Sequence, residues 1–283
     1  MKRSTLGCTL TVSLLSVGLL IPRAFAEAHQ DPHIQQLVRS AVENELAKDR
    51  DDHSRWQYRS TVHRPEGEFI YLVVETDNGS VKKKIQQNGQ PLNATDLEKE
   101  NQRISSFVRD PAQQAKQRRD SEQDDKRAEN MLRMLPDAFL WTIKSDTSDS
   151  TTFAFTPNPA FNPPTMESRV FAAMAGEIIV SKPESRIQRI SGKLIRDVKF
   201  GYGLLGKMEQ GGTFNVERRR LAPGVWQITE SHVHINGHIL LFKTISEQED
   251  EVKTDFRPTP SGTSLEQAAN LLQNQPGSQS AHR

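Results

Sequence analysis

The sequence predicts an α+β fold in which a long antiparallel meander sheet is combined with a few amphipathic helices. Three observations predict it. Apolar residues recur at helical spacing in "DPHIQQLVRSAVENELA" near the start and in "TSLEQAANLL" near the end. Between them, and almost without interruption from Ala138 onward, short runs rich in β-branched and aromatic residues alternate with turn signals. Strand after strand joined by tight turns is the pattern of an antiparallel meander.

The chain opens with Lys2 and Arg3, followed by the apolar run "LTVSLLSVGLLI" and the small-residue stretch "AFA". A bilayer span needs about 20 apolar residues, so this run is too short to cross one. The order basic, apolar, small is that of a cleavable signal peptide over residues 1–26, with the mature chain starting at Glu27. The expected location is therefore the periplasm or the outside of the cell. Cys8, the only cysteine, lies within the signal, so the mature chain has no disulfide, thiolate nucleophile or cysteine metal ligand. Removing 26 of 283 residues leaves 257, enough for one domain, expected over residues 27–272 with a disordered tail over 273–283. The mature chain loses Lys2, Arg3 and Arg23, so 34 basic residues face 36 acidic ones. That balance gives no reason to expect a nucleic acid partner. No later apolar run is long enough for a transmembrane segment.

In the first helix Asp31 is a suitable N-cap and Pro32 suits the first helical position. Ile34, Leu37, Val38, Ala41, Val42 and Leu46 then share a face. "RWQYRSTVHR" and "GEFIYLVVETDNGSVKKKIQQNGQPL" read as three or four strands, with turns at "DNGS" and "NGQP". Thr95 and Glu98 have capping-box spacing and open a helix that stops or bends at Asp110–Pro111. Residues 112–129 are charged with both signs and read as a solvated helix, which regains an apolar face at Met131, Leu132 and Leu135 before Pro136 ends it.

"AFLWTIK" and "STTFAFTP" form a strand pair, and "PNPAFNPP" is a turn-forming spacer. "MESRVFAAMAG" is a short helix or loop, and five or six strands follow it. Thr263 and Glu266 have capping-box spacing at the last helix.

"ITESHVHINGHILLF" is the best candidate for a metal site, with His232, His234 and His238 near Glu230. Asn236–Gly237 is a strong signal for a two-residue hairpin, with Ile235 opposite His238. Alternation then puts Glu230, His232 and His234 in a row on one face, a poor geometry for one tetrahedral ion. No metal and no cofactor are expected. On this hairpin Trp226, Ile228, Ile239 and Leu241 lie on one face and Val233, Ile235, Leu240 and Phe242 on the other. A sheet apolar on both sides is covered on both or lines a cavity.

The glycines of "FGYGLLG" sit between strands, and neither GxSxG nor HExxH occurs. A triad assembled from distant residues such as His53 or His63 would leave no local signature. The chain is therefore read as a non-enzyme.

The stretch "SGKLIRDVKFGYGLLGKMEQGGTFNVERRRLAPGVWQITESHVHINGHILLFKT" is similar to the later strands of the LolA/LolB superfamily of periplasmic proteins. The resemblance is best over residues 176–258 and weaker over 56–155, and the polar segment 112–129 departs from it. It implies a curved antiparallel meander, an unclosed β-barrel, with amphipathic helices packed on the concave side. It also implies a carrier that binds a lipid or acyl chain. The alternatives are an envelope structural or sensor domain of the same fold that binds a protein partner, and an enzyme using the half-barrel as a pocket. In "PPTMESRVFAAMAG", Met166, Val170, Phe171 and Met174 make an apolar surface that is either a lid over the half-barrel or a fixed core segment. With Trp226 they are the expected ligand-binding residues.

Overall fold

Eleven strands form one antiparallel sheet in the computed structural model, which describes residues 30–200, 206–239 and 247–274. Residues 1–29, which include the expected signal peptide, Leu240–Phe242, Gly201, Gly203 and residues 275–283 lie outside the described residues. Helix α1 (Pro32–Asp51) precedes strands β1 (Trp56–Arg64), β2 (Gly67–Thr76), β3 (Gly79–Gln87) and the short β4 (Gln90–Pro91). Helices α2 (Ala94–Arg109) and α3 (Pro111–Ala138) lead to β5 (Phe139–Asp146) and β6 (Ser150–Pro157). A 3₁₀ helix over Glu167–Ala173 is followed by β7 (Met174–Ser181), β8 (Ile187–Leu194), β9 (Val198–Phe200) and β10 (Gly206–Met208). Then come β11 (Thr213–Ala222), β12 (Val225–Ile235), β13 (Gly237–Ile239), β14 (Glu247–Pro258) and α4 (Leu265–Asn274).

The large sheet runs β4-β3-β2-β1-β14-β12-β11-β8-β7-β6-β5, and β9, β10 and β13 make a separate small sheet. The last strand, β14, sits between β1 and β12 and joins the two halves of the meander. The edges β4 and β5 do not pair, so the sheet is not closed into a barrel. Register shifts interrupt the ladders, among them those at Gln57/Arg59, Ile70/Tyr71 and Glu217/Arg218. Such bulges bend a strand and increase its twist.

The register assigns the two faces. Tyr58, Val73, Lys253, Val216, Ile190, Ile178 and Phe153 share the inner face. Val38, Val42 and Leu46 of α1 are buried in one cluster with Phe139, Phe153, Phe155 and Ile178. Burying each such side chain contributes about 1.5–3 kcal/mol. Leu72, Val74 and Val81 point to the outer face, where Ile104 of α2 and Leu265, Ala268 and Leu272 of α4 cover them. The buried Lys83 extends beneath α4 and donates from Nζ to the Leu272 carbonyl at 2.8 Å.

The caps refine the helix starts. Asp31 caps α1 as expected, accepting from the amides of His33 and Ile34. Asn93, not Thr95, caps α2, its side chain accepting from the Asp96 amide at 2.9 Å. The reciprocal cap of α4 is Ser264 with Gln267, one residue on from the expected pair. Asp110 ends α2 and caps α3, with Pro111 in the first turn. Pro136 does not stop α3: it lies in the last turn, where the chain leaves the helix at Phe139 and only one ladder bond is lost.

Asn88 and Gly89 both have positive φ, 51° and 73°, the two-residue turn that "NG" encodes. Asn236–Gly237 behaves differently and corrects the expected hairpin. β12 already pairs with β11 on one edge and β14 on the other. No edge is left for a returning strand, and β13 crosses to pair with β10 in the small sheet.

Candidate functional site

The inner face of the central strands is not filled by helices along its whole length. α1 covers the half near β5–β8, and α3 runs across the opening. The N-terminal part of α3 is tied to the β2–β3 turn, where the Gln117 side chain accepts from and donates to the Ser80 backbone at 3.0 and 3.1 Å. Its C-terminal part packs on α1 and enters the main cluster through Leu135. Between these two attachments lies a solvent-connected cavity of about 1040 Å³. Ligand sites are commonly about 300–1,000 Å³.

One wall of the cavity is the sheet. Tyr58, Phe256, Phe214, Val216, Ile190 and Ile228 line it. Phe256 stacks against Tyr58 at 5.2 Å between ring centroids, and the bulge that places it passes through Asp255, with φ 58°. Burial, with Glu75 and Glu251 nearby, pushes the Tyr58 hydroxyl far above its usual range.

The facing wall is α3. Its lining residues Arg118, Ser121, Glu122, Asp125, Glu129 and Leu132 recur at helical spacing and so form one stripe. Burial, with Asp124 and Glu122 alongside, raises the Asp125 carboxyl.

At one end the cavity meets a buried ion network. Glu45, 1% exposed, receives both Nε and Nη2 of Arg186 at 2.9 and 2.8 Å, the Ile187 amide at 2.8 Å, and Arg218 Nη1. Asp49 bridges the same two guanidinium groups at 3.0 and 2.8 Å. Burial pushes the Asp49 carboxyl up to about 6, against the opposing pull of Arg186 and with a further push from Asp52. Burial also lowers Arg218 to about 10, and its Nε is buried without a partner. Trp226 lines the cavity beside this network and donates from Nε1 to Glu184 at 2.7 Å.

The expected ligand-binding residues separate into two places. Val170 and Phe171 are 9% and 4% exposed inside the main cluster, and Met166 and Met174 pack against it half-buried. The Phe171 ring meets Phe139 at 5.3 Å and Phe161 at 6.5 Å. These four come together, but not with Trp226, and Trp226 alone of the five lines the cavity. Glu230, His232 and His234 share the outer face, as alternation requires. Asp250 accepts from His232 Nδ1 at 2.7 Å and His234 Nε2 at 3.0 Å. Among the described residues no group of three or more His, Cys, Asp or Glu side chains is arranged to hold a metal ion.

The fold and cavity define an unclosed antiparallel-sheet protein with an amphipathic internal site. No known family profile matches the chain, and no curated protein does. A solved structure of a DUF1329 family protein from Desulfovibrio piger aligns with 83% of this chain and 98% of its own, at 10% identity and a TM-score of 0.24.

Proposed function

We propose that this chain is an exported, non-enzymatic binding or carrier protein that holds an apolar moiety, a lipid or acyl chain, in the cavity beneath α3. The observation that supports it is the sheet wall, where Tyr58, Phe214, Val216 and Phe256 face an open space in place of a packed helix. Covering such side chains with a ligand chain removes apolar area from water and is favourable. Trp226 belongs to this site, and the resemblance to LolA/LolB carriers and the signal-like N-terminus agree with it.

Native mass spectrometry of protein from its own host tests the reading, with a co-purified lipid on a chain beginning at Glu27 as the expected result. Saturable binding of the neutral dye N-phenyl-1-naphthylamine should accompany it. Val216→Glu should abolish dye binding while the melting temperature changes by only a few degrees, because Val216 is half-buried at the cavity wall. The competing reading is an envelope structural or sensor domain that binds a protein partner. The observation that supports it is the burial of Val170 and Phe171 inside the main cluster. It predicts no saturable dye binding.

A further inference from the structure

The cavity's two walls differ in chemistry, and the difference bears on what can occupy it. The sheet wall is aromatic and aliphatic, whereas the α3 wall carries Glu122, Asp125 and Glu129 along one stripe. Over the whole lining, eight acidic side chains stand against five basic ones.

The basic groups are largely engaged already. Arg218 is held by Glu45 and Asp49, and Arg55 pairs with Asp77 at 3.2 Å. Lys253 lies 3.6 Å from Glu251 and 5.3 Å from the Tyr58 ring centre. On α3, Glu129 pairs with Arg133. The stripe leaves Glu122 and Asp125 facing the cavity with Arg118 as the one cation on their wall. Asp52, at the opposite rim, accepts from the Ser54 amide and the Gln227 side chain, both neutral donors.

An anionic headgroup would enter a site where three of the five cations, Arg55, Arg218 and Lys253, are already paired, and where Asp52, Glu122 and Asp125 outnumber the remaining Arg50 and Arg118. A cationic one would meet Glu122 and Asp125 while its chain lay on Tyr58, Phe214 and Phe256. We infer that the cavity selects an amphiphile with a positively charged headgroup, its chain against the sheet and its charge toward the acidic stripe of α3. The inference rests on the proposed binding function and specifies the ligand's chemistry. Opposite charges across a partly desolvated gap favour the correct ligand and, more strongly, exclude the wrong one.

Displacement of bound N-phenyl-1-naphthylamine by dodecylamine, dodecanol and dodecanoate tests it at neutral pH, where the amine is protonated and the acid ionised. All three are used below their micelle thresholds. Dodecylamine should displace the dye at roughly tenfold lower concentration than dodecanoate, with dodecanol between them. Raising the salt should narrow the gap and leave dodecanol unchanged. In the Glu122→Gln/Asp125→Asn double variant the amine and carboxylate should converge. Both positions are exposed, so the fold should survive, and the salt series on the unaltered protein reads the same charge effect independently. Equal or tighter binding of dodecanoate, or an unchanged ratio in the double variant, overturns the inference while leaving the cavity reading intact. If the dye does not bind at all, the cavity reading itself fails and this inference with it.

Discussion

Glu45 has the most concentrated set of charged contacts in the described structure. Its carboxylate sits on the buried face of α1 and collects Arg186 just before β8, the Ile187 amide that opens β8, and Arg218 of β11. A buried ion pair adds little over an apolar core, but removing one partner strands the other. Glu45→Ala would leave Arg186, with a side chain 3% exposed, with Asp49 as its one remaining carboxylate beside the Gly224 carbonyl. The expected loss is about 3–5 kcal/mol in a urea melt, against about 5–15 for a typical whole domain. Glu45→Gln should cost less, since its amide oxygen still accepts. Phe171 is the apolar counterpart. Its ring is packed on Phe139 and Phe161, so Phe171→Ser both opens a cavity and buries a hydroxyl. The melting temperature should drop sharply, and any loss of dye binding should track unfolding. A Phe171→Ser protein that stays folded but no longer binds would restore the segment to the ligand site.

At the scale of elements, the turn signals divide in an instructive way. Asn88–Gly89 and Asn236–Gly237 carry the same dipeptide, yet only the first closes a hairpin. The first follows β3, whose free edge can accept a short return strand. The second follows β12, whose two edges are occupied by strands from elsewhere in the chain. Gly237 is then needed for close approach: a Cβ there would lie 2.4 Å from the Lys207 carbonyl oxygen and 3.0 Å from the Met208 Cα. Gly237→Val should therefore detach β13 from β10 while β12 stays in the large sheet. Hydrogen exchange should speed at Lys207 and Met208 and not at Thr229 or Ser231; faster exchange along β12 would contradict the assignment. The strands and helices were legible because period-2 and period-3.6 patterns are local. The Glu45 network was not, because its members lie about 140 and 170 positions apart in the chain. The cavity stripe of α3 was visible as a charged helix, but which face met a space depended on how α3 crosses the sheet. The apolar strand face of Trp226 left open whether it was covered or lined a cavity, because what packs on a strand is decided by distant elements.

For the whole molecule, the decisive feature is where its first and last strands meet. β1 and β14 pair along their length, so the last strand of the sequence holds the first four strands to the rest. One cluster of buried residues lies under α1 and the other under α2 and α4. They belong to opposite faces and different halves of the sheet, and β14 joins the halves through its ladders with β1 and β12. Unfolding should be a single transition seen alike by circular dichroism and by the emission of Trp56, Trp141 and Trp226. Val252 pairs with Thr61 on one side and Glu230 on the other. Proline there removes a ladder hydrogen bond in the middle of the sheet and clashes with it, at about 3 kcal/mol or more. Val252→Pro should therefore split the melt into two transitions or prevent folding. Lys144→Pro is the control: Lys144 lies at the bulge of the edge strand β5, with only an exposed pairing to Glu177 to lose. It should shift the midpoint slightly and keep one transition. Equal damage from both prolines would show that β14 does not hold the two halves together.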